Sequence, residues 1–248
     1  MENDCQKSEW FEEWFNTPFY HVLYQDRDEQ EAEHFVSNLV DYLQIKENKT
    51  ILDLACGKGR HAVFLNKKGL NVVGADLSVN SIADAKKYED DDLRFIVHDM
   101  REVIPNHKFD YIFNLFTSFG YFDTQKDNVK MLQSVHEMLN DGGKLIIDFM
   151  NVHKVVANLV AKEVKSVDEI DFNITREFDG KHILKTISFG HLGQSYSYTE
   201  RVQGLTKEDF EKLLEKTNFK IEAIFGDFNL NEYHSATSDR LILIASKK

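Results

Sequence analysis

Residues 51–78 read ILDLACGKGRHAVFLNKKGLNVVGADLS, and this stretch decides the fold. An apolar run holding Asp53 leads into Gly57-Lys58-Gly59, and a second apolar run closes on Asp76. The pattern "TILDLA" predicts a strand, residues 58 to 68 a helix, and "NVVGAD" a second strand. Strands this continuously apolar belong in a parallel sheet covered on both faces.

The alternation continues downstream. Residues 78 to 88 predict a helix, "LRFIVHD" and "FDYIFNLF" strands, 124 to 139 a helix opened by Thr124, and "GKLIIDFM" a strand. After residue 151 a short helical stretch precedes three β-rich runs, "IDFNITREFDGKHILKTISFGHLGQSYSYTERVQ", the first two joined by an Asp179-Gly180 turn. "TKEDFEKLLEKTNF" predicts a helix capped by Thr206, and "KIEAIFGDF" and "RLILIAS" two closing strands. Upstream, Ala32, Phe35, Val36, Leu39, Val40 and Leu43 follow helical spacing over Asp28 to Leu43. Before them Trp10, Phe11, Trp14 and Phe15 form an aromatic stripe, with Ser8 a cap. Such a stripe is ordinarily core, yet four large rings on one short helix exceed what docking needs, so a lid is the competing expectation.

The composition bounds the chemistry. The chain has 248 residues, a formal net charge of −12 and two cysteines. Such acidity disfavours a phosphate backbone, and two isolated cysteines make neither a disulfide framework nor a zinc site. The opening MENDCQKSEW lacks the basic and apolar regions of a signal peptide, and no apolar run approaches the ~20 residues of a membrane span. We expect a cytoplasmic protein with no membrane or nucleic-acid partner, a monomer or homodimer acting on a small molecule.

In an open parallel sheet ligands bind beyond the carboxyl ends of the strands. Asp53, Gly57, Gly59, Asp76 and Asp99 map to that edge. The glycines permit a tight turn and a close ligand approach. Asp76, about 20 residues further on, is placed to accept ribose hydroxyls. Asp99 is placed to accept from an exocyclic amine, so the set specifies an adenosine. A dinucleotide site wants G-x-G-x-x-G, whereas Ala62 stands at the third glycine, and Asp53 would repel a pyrophosphate. A cationic ligand, S-adenosylmethionine, suits these acids where NAD does not.

"DLACGKGRHA", "VVGADLS", "HDM", "NLFTSFGYFD" and "GGKLIIDFMN" resemble the successive motifs of class I S-adenosylmethionine-dependent methyltransferases. The resemblance covers residues 50 to 151, and the closing helix and strand pair are similar to that family's ending. It implies an α/β, Rossmann-like fold: a mostly parallel seven-stranded sheet with helices on both faces. To this are added an N-terminal helical extension and an antiparallel β insertion after strand five. One domain is expected, with 1–49 a helical lid, 50–150 the cofactor-binding core, 151–204 a substrate roof and 205–248 the final helix and strands. The resemblance puts Asp53, Ala55, Gly57, Gly59 and Arg60 by the methionine part. Asp76 then holds the ribose, Leu77 packs on adenine, Asp99 and Met100 read its edge, and Asn114 and Leu115 lie under the methyl centre. Phe119 and Tyr121 are expected to line the substrate pocket, with Tyr196 and Tyr198 closing it from the roof. The insertion resembles that of small-molecule N- and O-methyltransferases.

Competing readings remain. Asp53 also suits a loop organiser that accepts backbone N–H groups, and His61 an exposed helix surface. Cys56 suits a loop filler better than a nucleophile, having no nearby histidine. Asp148 and Asn151 raise a metal, against which stands Asn114 where an acid is expected. A DNA amino-methyltransferase would carry an Asp/Asn-Pro-Pro-aromatic loop where this chain has Asn114-Leu115-Phe116-Thr117, and a cytosine-C5 enzyme a Pro-Cys nucleophile. A non-catalytic S-adenosylmethionine-binding protein, or an enzyme acting on RNA or protein, are the alternatives. No general base is assigned; His153, His191, Tyr196 and Tyr198 are candidates.

Overall fold

The structure, a computed structural model, describes residues 9–25 and 29–248. Ser8, Cys5 and Asp28 lie outside the described residues. The aromatic segment forms two short helices, α1 (Trp10–Phe15) and α2 (Pro18–Leu23). The break has a local cause: Thr17 accepts from Tyr20 N at 3.2 Å and so caps α2, whose first residue is Pro18. The helix α3 (Glu29–Leu43) leads into β1 (Thr50–Leu54), α4 (Arg60–Lys67), β2 (Asn71–Asp76) and α5 (Val79–Ala85). Then come β3 (Leu93–Val97), β4 (Phe109–Asn114), α6 (Gln125–Met138) and β5 (Leu139–Met150). The helix α7 (Val152–Ala157) opens the insertion of β6 (Lys162–Val167), β7 (Ile170–Phe178), β8 (His182–His191) and β9 (Gln194–Gln203). The helix α8 (Lys207–Lys216), β10 (Phe219–Phe225) and β11 (Arg240–Lys247) end the chain.

The main sheet has the order β10-β11-β5-β4-β1-β2-β3. Strands β1 to β5 pair in parallel, and β11 runs antiparallel to both β5 and β10. The strand order reverses between β1 and β4, which is where such sheets open a crevice. Alternation along β1 sends Leu52 and Leu54 to one apolar layer and Ile51 to the other. Asp53 shares the face of Ile51, beneath α4, and this explains its burial to 1% exposure.

The insertion is a separate antiparallel sheet, β6-β7-β8-β9, one strand more than expected. The missed β6 is charged and alternating, and its turn to β7 is Asp168-Glu169, both at positive φ without a glycine to mark it. Its apolar face does not stand free. Phe172, Ile174, Ile187 and Phe189 are buried together with Trp14 and Leu23 of α1 and α2. The roof is also tied to the loop after β4: Gln203 N donates to Gly120 O at 2.8 Å, and its side-chain amide is held by Phe122 O and Asn128.

Candidate active site

A cleft of about 680 Å³, the solvent at its mouth included, opens at the carboxyl ends of the first four strands. Each strand end contributes. Ala55 and Gly57 follow β1, Asp76 and Leu77 end β2, His98, Asp99 and Met100 follow β3, and Ser118, Tyr121 and Phe122 follow β4. Phe11, Phe15 and Tyr20 of α1 and α2 line the opposite side.

The loop after β1 is shaped by backbone strain. Ala55, Gly57 and Gly59 all adopt positive φ, at 64°, 57° and 82°. Beside Gly57 the space is open, with no atom within 4 Å of where a Cβ would stand. Gly59 answers a different need: a Cβ there would lie 2.5 Å from the Phe95 ring, so its close approach is to a core aromatic and not to a ligand. Asp76 organises this loop and the next. One carboxylate oxygen accepts from Gly57 N and the other from Ser78 N, each at 2.8 Å. Burial raises its pKa, opposed by these backbone N–H groups and that of Leu77. Ser78 caps the following helix by accepting from Ser81 N.

Asp53 does not line the cleft; it lies under the loop. Burial raises its pKa to about 7, with Ala62 N–H lowering it and Asp76 raising it further. One of its oxygens has no hydrogen-bond partner. Burial and the same two acids push the Cys56 thiol well up, which leaves it a protonated filler.

On the other rim Asp99 is half-buried, and against that desolvation Arg101 holds its carboxyl below the usual carboxylate range. Arg101 forks: Nη2 donates to Asp99 and to Glu9 at 2.7 Å each, while its guanidinium stands 4.8 Å from the Phe122 ring centroid. The residue preceding α1 is thereby pinned to the cleft edge.

Several expected residues stand elsewhere. Asn114 is fully buried beneath the site, its amide donating to Leu54 O at 3.0 Å across the β1/β4 crevice, and Leu115 is in the core. Arg60 lies over the Phe116 ring, outside the cleft. Phe119 is wholly buried against Phe149 and Phe210, because the loop turns its ring inward and presents Tyr121 instead. Tyr196 and Tyr198 do not reach the cleft: Phe19 covers Tyr196, and Trp14 stacks on Tyr198 at 4.5 Å. His61 is buried, not exposed. His153 is exposed on α7, and His191 packs beside Phe19. Asp148 is no metal ligand: it accepts from Arg240 Nε at 2.7 Å and from Phe116 N at 2.8 Å, fixing a loop in which Phe116 and Thr117 both have positive φ. Asn151 is spent on Ser235, Ser238 and Tyr233, and no metal-binding cluster occurs among the described residues.

Sequence reasoning missed His98, Ser118 and Phe122 as cleft residues, while of the two expectations for the aromatic stripe, core and lid, Phe11, Phe15 and Tyr20 line the cleft and Trp14 is buried. His98 carried a signal, standing next to Asp99 at a strand end. Ser118 and Phe122 did not, since nothing local marks which side chains of a loop face inward.

Comparison with known proteins agrees with this architecture. Residues 45–218 match the family profile of a methyltransferase domain. The chain is 30% identical over 213 residues to YqeM of Bacillus subtilis (strain 168), assigned as a methyltransferase, covering 82% of this chain and 86% of that one. It is 25% identical over 244 residues to a glycine/sarcosine N-methyltransferase of Aphanothece halophytica, covering 91% and 85%. Among solved structures, an S-adenosylmethionine-dependent methyltransferase from Clostridium acetobutylicum superimposes with a TM-score of 0.78 at 21% identity, over 92% of this chain and 96% of that one.

Proposed function

Because the chain belongs to the S-adenosylmethionine-dependent methyltransferases, we propose that its cleft holds S-adenosylmethionine and delivers the methyl group to a nitrogen or oxygen of a small acceptor. The observation that carries this is the meeting of Asp76, Asp99 and the Gly57 turn at one strand edge under an aromatic cover. Asp53, buried below that turn with one oxygen unpartnered, adds an acidic field that suits a cationic ligand in the cleft above.

Asp76 holds the ribose. Its oxygens each accept one backbone N–H already, and each keeps a lone pair for a hydroxyl. Leu77 and Met100 pack on the adenine, and Asp99, kept ionised by Arg101, accepts its amino group. Ala55 and Gly57 serve the methionine end directly, and Asp53 acts from beneath by holding their loop. When bound, the cofactor supplies a methyl carbon on a sulfonium, which an acceptor lone pair takes as the C–S electron pair returns to sulfur. The chain's own task is alignment and exclusion of water, which lower the barrier by several kcal/mol without further chemistry. Phe11, Phe15 and Tyr20 supply the dry cover, and residues 1–49 and 151–204 act together as lid and roof. The N-methyltransferase named among the relatives supports a nitrogen acceptor.

Calorimetry with S-adenosylmethionine, S-adenosylhomocysteine and NAD tests the cofactor, and a small-molecule panel scored by S-adenosylhomocysteine release tests the acceptor. Binding of NAD as tight as that of S-adenosylmethionine overturns the cofactor assignment. Release that responds only to protein or RNA substrates overturns the acceptor.

A further inference from the structure

Beyond the cleft, and sharing Phe15, Tyr20 and Tyr121 with it, lies a smaller pocket of about 260 Å³. Trp10 and Tyr24 complete its aromatic wall, and Glu200 of β9 supplies a carboxylate. Neither expected roof tyrosine is there. With three rings lining both, the pocket adjoins the cleft on the side of β9.

Its chemistry is specific. The rings of Trp10, Phe15 and Tyr121 meet edge-on at 5.4–5.6 Å between centroids, so they hold one another in place as its wall. Glu200 is held in place: one oxygen accepts from Trp14 Nε1 at 2.8 Å and from Tyr24 Oη at 2.6 Å. Its other oxygen stands 3.7 Å from Lys185 Nζ, and that ammonium lies 4.5 Å from the Tyr24 ring centroid. Lys185 does not itself line the pocket. The same acid and ring thus already hold one ammonium from outside the pocket.

Aromatic faces around a positioned carboxylate attract a cation more than a neutral group of equal size. We propose that this pocket is the acceptor subsite and that it selects an acceptor bearing an amino group, bound as its ammonium against Glu200. The inference rests on the adjoining cleft being the cofactor site. The acceptor would react as its free amine, having given its proton to solvent, and Glu200 would then accept from a remaining N–H and so aim the nitrogen lone pair towards the adjoining cleft.

The chain's two tryptophans are Trp10, which lines the pocket, and Trp14, which bonds Glu200, so intrinsic fluorescence reports on it directly. The probes are tetramethylammonium and its uncharged near-isostere tert-butanol, titrated with and without saturating S-adenosylhomocysteine. The expected result is saturable binding of tetramethylammonium, about tenfold tighter than tert-butanol. Glu200→Gln should erase most of that preference while S-adenosylhomocysteine affinity, measured by calorimetry, stays unchanged. If Glu200→Gln fails to fold, Tyr121→Leu, which removes a ring and no charge, should reduce tetramethylammonium affinity severalfold. Equal affinity for the two probes, or a preference untouched by the substitutions, overturns the proposal. Failure of S-adenosylhomocysteine to bind would instead overturn the cofactor reading, and the titration without nucleotide would still judge the pocket.

Discussion

Asp53 and Asp76 are both acids at strand ends, and their surroundings give them different work. Asp76 reaches the cleft with both oxygens engaged by backbone N–H groups, so replacing it removes the anchor of two loops as well as the proposed ribose contact. Asp76→Ala should weaken S-adenosylmethionine binding more than tenfold, each charge-assisted hydrogen bond being worth roughly 1.5–3 kcal/mol. Calorimetry that finds unchanged affinity removes Asp76 from the ribose. Asp53 is sealed under α4 and titrates near neutrality because burial penalises its charge. Its folded pKa is raised above the unfolded value of 3.8, so its stabilising contribution is complete below about pH 4 and is lost as pH rises through about 7. The loss is on the order of 4 kcal/mol at 1.36 kcal/mol per pKa unit. Asp53→Asn should therefore flatten the fall in ligand-free stability between pH 5 and 8, read as denaturant midpoints across that range. Parallel pH profiles for wild type and variant refute the burial argument.

At the level of elements, α1 and α2 are neither a plain core helix nor a free flap. Trp14 and Leu23 are buried in the roof's apolar layer, while Phe11, Phe15 and Tyr20 face the cleft. Removing residues 1–24 should leave the seven-stranded sheet folded, weaken cofactor binding and expose Phe172, Ile187 and Phe189. Hydrogen exchange should rise across β7 to β9 and stay low in β1, β4 and β5; uniform loss of protection would mean that the segment is core for the whole chain. A milder lesion tests the rim. Arg101→Met keeps an apolar stem over Phe122 but frees Glu9 from Asp99, so exchange in α1 should quicken severalfold with the roof unchanged. No change would show that the aromatic packing alone holds α1.

For the whole molecule, the net charge of −12 and a cleft covered by α1 and α2 act in the same direction. Net negative charge repels a polyanion at long range, and the cover leaves it less room at the strand ends. Turnover on bulk tRNA or duplex DNA should stay below that on the best small amine at every salt concentration, and faster methylation of a polynucleotide refutes this. Among the described residues no helix is long and apolar enough to cross a membrane.

The alternation of apolar runs with helical spacing, the Gly57-Lys58-Gly59 turn and the caps Thr124 and Thr206 made the parallel sheet and the cleft's strand-end residues legible from the chain alone. Those signals are local: backbone geometry, strand period and capping act within a few residues. What the sequence left open were contacts between segments far apart in the chain. Phe119 and Tyr121 are near neighbours with the same aromatic signal, and only the packing of Phe149 and Phe210 sends one into the core and the other into the cleft. Gly59 is a glycine because Phe95 of another strand needs the room. Glu200 reads as one polar residue on an alternating strand, and it becomes a pocket carboxylate only where Trp14 and Tyr24, from the other end of the chain, close on it. Burial, desolvation and side-chain partnership depend on which surfaces meet, and no short-range pattern encodes that meeting.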